Sequence, residues 1–116
     1  MSIFTIYHNP RCSKSRNTLQ LLEEKGIQPN VVLYLETPPD SSEIRALLKK
    51  LGIKAEELVR RGEGDYKVSG LGKESSEAEY VSAMARYPRL IERPIVVKGD
   101  KALLGRPPEN VLALVD

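Results

Sequence analysis

The spacing of apolar positions changes several times along the chain, and each change predicts an element. Residues 3–7 form a short β-branched and aromatic run ended by Asn9-Pro10, which reads as a strand. From Ser13 to Lys25 the spacing becomes helical. Leu19 and Leu22 share one face, Leu21 lies beside them, and Gly26 is a C-terminal stop. Val31-Val32-Leu33-Tyr34-Leu35 is a second strand, bounded by Pro29-Asn30 and Thr37-Pro38-Pro39. Strand, helix and strand in this order predict a right-handed parallel βαβ unit.

Asp40 followed by Glu43 is a capping arrangement. It opens a helix carrying Ile44, Leu47, Leu48 and Leu51 on one face and stopping at Gly52. A short helix is expected around Ala55–Arg60. Residues 61–73, with four Gly and several charges, read as a loop. A second capping box, Ser76 to Glu79, opens a helix with Tyr80, Met84 and Tyr87 that ends at Pro88. Ile95-Val96-Val97 and Ala102-Leu103-Leu104 flank Lys98-Gly99-Asp100-Lys101, the pattern of an antiparallel hairpin. Arg106-Pro107-Pro108 leads into a final helix with Val111, Leu112, Leu114 and Val115 on its buried side. The order is β-α-β, a helical insertion, then β-β-α. This is the α/β, thioredoxin-like three-layer topology with a four-stranded mixed sheet, expected here as one domain over residues 1–116.

Composition narrows the chemistry. No run approaches the roughly 20 apolar residues of a membrane span. Met1–Tyr7 carry neither a basic leader nor a small-residue cleavage site, so a cytoplasmic location is expected. The net charge of +2 comes from Lys and Arg spread among acidic residues, which gives no basis for nucleic-acid binding. One Cys and one His rule out a disulfide framework and the common Cys/His metal clusters. A single Cys is most often a buried structural residue. Its position here argues otherwise.

Cys12 falls just past the first strand and at the start of the first helix. Free backbone N–H groups and the helix dipole at that point stabilise a thiolate and bind anions. Arg11, Lys14 and Arg16 add positive charge nearby, and such surroundings bring a thiol from about 8.5 into roughly the 3.5–7.5 range. His8 would assist if charged, or would simply cap the strand. With no second Cys, the chain cannot resolve its own covalent adduct, so turnover requires an external thiol. Thr18 stands where a cysteine phosphatase loop would place Arg, six residues after the Cys. Ser15 stands where a Cys-x-x-Cys motif would place its second Cys.

The segment Tyr7-His8-Asn9-Pro10-Arg11-Cys12-Ser13-Lys14-Ser15-Arg16-Asn17-Thr18-Leu19 resembles the active-site signature of the glutaredoxin-coupled arsenate reductases. The resemblance continues through Tyr34–Pro39, Leu58–Arg61, Arg93–Val97 and Gly105–Pro107, in the family's order and over nearly the whole chain. It implies that Cys12 is the nucleophile forming a thiol–arsenate ester and that Arg60, Arg93 and Arg106 surround the oxyanion. His8, Ser15 and Arg16 support the nucleophile, and Pro94 matches the cis-proline that faces the active-site Cys in such folds. A one-residue slip would exchange Arg60 for Arg61. The resemblance further implies glutathione and glutaredoxin as external reductants, arsenate or a similar oxyanion as substrate, no bound cofactor or metal, and a monomer.

Two other readings stand beside this one. The first is a related reductase acting on another substrate, such as a mixed disulfide. The second is a non-catalytic RNA-polymerase-binding regulator of the same fold, although that protein relies on a Cys-x-x-Cys switch. Arg11 and Ser13-Lys14 also flank Cys12 where the best-known family members carry small neutral residues.

Overall fold

The structure, a computed structural model describing residues 3–115, builds one sheet from the four strands expected. The expectation for Met1 and Ser2 lies outside the described residues. The strands are β1 (Phe4–His8), β2 (Asn30–Leu33), β3 (Ile95–Lys98) and β4 (Lys101–Leu104), in the order β2-β1-β3-β4. β1 runs parallel to β2, with Ile6 opposite Val31 and His8 opposite Leu33. β3 is antiparallel to both β1 and β4. Helix α1 (Ser13–Glu24) joins the parallel pair, as the βαβ pattern predicts.

The chain forms two compact units. The first comprises Met1–Thr37 and Arg93–Asp116 and contains the sheet. Its core is Phe4, Ile6, Leu22, Val96, Val111 and Leu114. Alternation along β1 puts Phe4, Ile6 and His8 on one buried face. The C-terminal element, Pro108–Leu114, is a 3-10 helix. Its buried residues Val111 and Leu114 are three apart, the repeat of that helix, and Leu112 and Val115 are only partly covered.

The second unit, Pro38–Glu92, is the expected helical insertion. It holds α2 (Ser41–Leu51), α3 (Ala55–Leu58), α4 (Gly64–Ser69), α5 (Glu77–Arg86) and a 3-10 turn at Pro88–Leu90. Asp40 caps α2 by accepting from the Glu43 amide at 2.8 Å, and Gly52 ends it in the left-handed conformation. Ser76 and Glu79 form the capping box of α5. Helices α2 and α3 pack on α5, and this unit buries Ile44, Leu47, Leu58, Tyr80 and Met84.

Three boundaries differ from the sequence pattern. β2 stops at Leu33 because its partner β1 ends at His8, leaving no ladder for Tyr34 and Leu35. Those residues turn instead, with the amides of Glu36 and Thr37 both donating to the Leu33 carbonyl. The expected loop at 61–73 contains α4. That helix buries no side chain, so no apolar period marks it, and Gly64 and Gly70 stand at its ends rather than breaking it. α3 ends at Leu58 rather than Arg60, because Val59 leaves the helix to bridge Ile91.

Candidate active site

Cys12 is the N-cap of α1, in extended conformation, and it is half-exposed. A tight turn delivers it there. The Cys12 amide donates to the Asn9 carbonyl at 3.0 Å, and the Asn9 Oδ1 accepts from the Arg11 amide at 3.0 Å. Arg16 straps the same turn from the helix side, its guanidinium donating to the Pro10 carbonyl at 2.9 Å. The side chain of Arg16 is exposed. The spacing expects Arg16 as a cation near the sulfur, and its guanidinium reaches the loop that carries Cys12. Asn9, the residue that ends the β1 pattern, is buried and shapes this loop.

The buried stripe of α1 is Ser15, Thr18 and Leu22, with Leu19 only partly covered. Two hydroxyls thus occupy positions where an ordinary amphipathic helix would place apolar side chains, and each is satisfied locally. Ser15 Oγ accepts from the Asn9 amide at 3.0 Å and lies 2.7 Å from His8 Nδ1. Thr18 Oγ1 donates to the Lys14 carbonyl at 2.7 Å. His8 therefore sits at the end of β1 on the core face, tied to Ser15. Burial first, then the positive charge of Arg16, pushes His8 below the ordinary imidazole value. Its neutral form is thereby favoured, in which Nδ1 can accept from the Ser15 hydroxyl.

The Cys12 thiol is held below its ordinary value despite burial, which raises it. The Ser15 amide, a hydrogen bond from the Arg93 side chain, the Lys14 amide and the Arg93 charge together outweigh that burial. Cys12 does not close the helix turn with a side-chain bond as Ser or Asp would at this position. The open amides of the first turn instead favour the ionised sulfur. No acidic residue lies in that turn to compete.

Arg93 precedes β3 and Arg106 follows β4, so the hairpin brings the two arginines to the same end of the sheet. The Arg106 guanidinium donates to the Arg93 carbonyl at 3.2 Å. Both are followed by proline through cis peptide bonds, Arg93–Pro94 and Arg106–Pro107; the first has the conformation that the resemblance implied. Arg93 thus acts on the Cys12 sulfur, and Arg106 is tied to the Arg93 backbone. Rigid guanidinium forks beside a thiolate suit a tetrahedral oxyanion, offering several donors while offsetting anion–anion repulsion.

Arg60 belongs to the second unit. Its amide donates to the Leu90 carbonyl at 2.7 Å, and its guanidinium pairs with Glu92 at 3.2 Å and Glu63 at 3.6 Å. The neighbouring Arg61 is more exposed and pairs with Glu56 at 3.8 Å. Among the described residues, no helix is long and apolar enough to cross a membrane.

Comparison with known proteins gives this geometry a family. The ArsC family model matches residues 7–114. Uncharacterized protein YfgD from Escherichia coli K12 is 57% identical over 112 residues, which is 95% of this chain and 94% of that protein. Arsenate reductase from Haemophilus influenzae is 49% identical over 95% of this chain and 97% of its own length. Among solved structures, arsenate reductase from Vibrio cholerae superposes with a TM-score of 0.93 at 47% identity, covering 97% of each chain. With the motifs, the sheet order and the relatives in agreement from end to end, the chain belongs to the ArsC family.

Proposed function

We propose that this protein is a thiol-dependent oxidoreductase that reduces arsenate to arsenite through a covalent Cys12–arsenic intermediate. The observation that carries the reading is the placement of Cys12 at the start of α1, where the Ser15 and Lys14 amides and Arg93 hold its thiol below the ordinary value. The names of the relatives from Haemophilus influenzae and Vibrio cholerae support the substrate.

In the proposed reaction, the Cys12 thiolate attacks arsenic(V), and an oxygen of arsenate leaves as water or hydroxide. Arg93 and Arg106 hold the remaining oxygens, and family resemblance assigns Arg60 to the oxyanion as well. Glutathione then attacks the Cys12-bound arsenic, and a second arsenic oxygen leaves as water. Glutaredoxin completes the reduction. Two thiol sulfurs are oxidised to a disulfide, their electron pair takes arsenic from V to III, and arsenite departs as Cys12 is regenerated. The chain contains one cysteine, so both electrons come from thiols outside it.

A coupled assay tests this reading directly. Wild type and Cys12→Ser are compared for arsenate-dependent NADPH consumption with glutathione, glutaredoxin and glutathione reductase present. Turnover by the wild type alone is the expected result. No turnover with arsenate, together with turnover of a glutathione mixed disulfide, would move the assignment to disulfide reduction. Activity in neither case would favour the binding-protein reading.

A further inference from the structure

Gly105 follows β4 and is buried, and its amide donates to the Pro94 carbonyl at 2.9 Å. A Cβ at this position would overlap Thr18 Oγ1 and lie 2.7 Å from Pro94 Cγ and 3.1 Å from Thr18 Cγ2. Every other glycine in the chain has nothing within 4 Å of the equivalent point. Gly105 is also absent from the glycines with positive φ, which are Gly26, Gly52, Gly70 and Gly99. Glycine is therefore required here for room, not for backbone conformation.

The three residues in this contact each belong to a part of the site. Thr18 lies on α1, and its hydroxyl bonds the carbonyl of Lys14, whose amide serves the Cys12 sulfur. Pro94 follows Arg93, whose side chain donates to that sulfur. Gly105 precedes Arg106, which bonds the Arg93 carbonyl. We propose that Gly105 is a positioning residue: its missing side chain lets α1 and the Arg93–Pro94 segment approach closely enough for Arg93 to reach Cys12. A methyl group at position 105 has no space unless Thr18 or Pro94 retreats. Both are fully or largely buried, and a packed interior yields poorly to added volume. The displacement is transmitted to Arg93. This inference rests on the thiolate chemistry proposed above, but its test is separable from the identity of the substrate.

The test is the pH dependence of Cys12 alkylation by iodoacetamide, measured on wild type, Gly105→Ala, Arg93→Ala and the double variant, with arsenate kinetics alongside. Gly105→Ala should raise the alkylation midpoint and slow the reaction at pH 7 by about tenfold, the equivalent of one pKa unit. Its kcat/KM for arsenate should fall by one to two orders of magnitude, the scale of an ångström-level misplacement. Because Gly105 acts through Arg93, the glycine change should move the midpoint no further once Arg93 is Ala. A folded Gly105→Ala with a wild-type midpoint would overturn the proposal, as would an equal shift in the absence of Arg93. Should Gly105→Ala fail to fold, Gly105→Ala/Thr18→Ala is measured in its place beside Thr18→Ala alone; it leaves Pro94 to move, so its midpoint should lie above that of Thr18→Ala, and an unchanged midpoint overturns the proposal. Wild-type protein inert toward arsenate would end the proposed function, while the alkylation profiles would still decide the role of Gly105.

Discussion

Arg93 and Ser15 act on the Cys12 sulfur by different means: one supplies a guanidinium, the other a backbone dipole fixed by the helix. The two contributions respond differently to mutation. Replacing Arg93 with Ala removes both its hydrogen bond and its charge, so the thiol should titrate higher. Alkylation of the folded variant at pH 7 should slow by about tenfold. Arg93→Lys should recover part of the rate through charge while losing the planar fork. Ser15→Ala leaves its amide in place and should disturb His8 more than the thiol. His8 yields a prediction about stability. Its folded value is lowered, so the unfolded chain binds the proton more readily, and stability should fall as pH drops through the ordinary imidazole range near about 6.5. Urea unfolding at pH 7.5 and 5.5 should show wild type losing more stability than His8→Asn, and equal losses would contradict the buried neutral imidazole. The identity of Cys12 as an N-terminal helix thiol was legible from the pattern alone. The partners of Arg16 and His8 were not, because sequence spacing gives adjacency along an element but not the direction in which a side chain reaches.

At the scale of elements, the caps and buried stripes set local stability. Asp40→Ala should cost about 1 kcal/mol by freeing the amide of Glu43 at the start of α2, and Ser76→Ala about as much at α5. Denaturant midpoints check both. Leu22 is fully buried in the core beside Phe4 and Val111, so Leu22→Ala should cost roughly 2–5 kcal/mol. These are also the elements that sequence pattern predicts well, since capping residues and apolar periods are written locally. The pattern loses its hold where tertiary pairing decides. β2 ends where β1 ends, α4 carries no buried residue to mark it, and the last element winds as a 3-10 helix although its composition suits an α-helix equally. The burial of Ser15 and Thr18 is not written in the pattern for a related reason. A hydroxyl on a helix reads as exposed unless its partner, here His8 on a strand or the Lys14 carbonyl, is already known.

For the whole molecule, the site's parts come from distant stretches, and the proposed reaction draws its electrons from thiols outside the chain. Topology accounts for the first. The parallel β1–β2 pair sets Cys12 at the end of β1, and the β3–β4 hairpin returns Arg93 and Arg106 to one end of the sheet. Motif order made this convergence readable in the sequence, but the close approach of Gly105 to Thr18 and Pro94 was not, because a glycine between a strand and Arg-Pro looks like a simple turn. The single cysteine accounts for the second. Arsenate supplied without any thiol should give no arsenite release, and addition of glutathione and glutaredoxin should start it. The most direct test of the central claim is the pH profile of Cys12 alkylation in the folded wild type, which the absence of other cysteines makes free of competing signal. The midpoint should lie clearly below the ordinary thiol value of about 8.5, with brisk reaction at neutrality. A midpoint at or above that value would contradict the account.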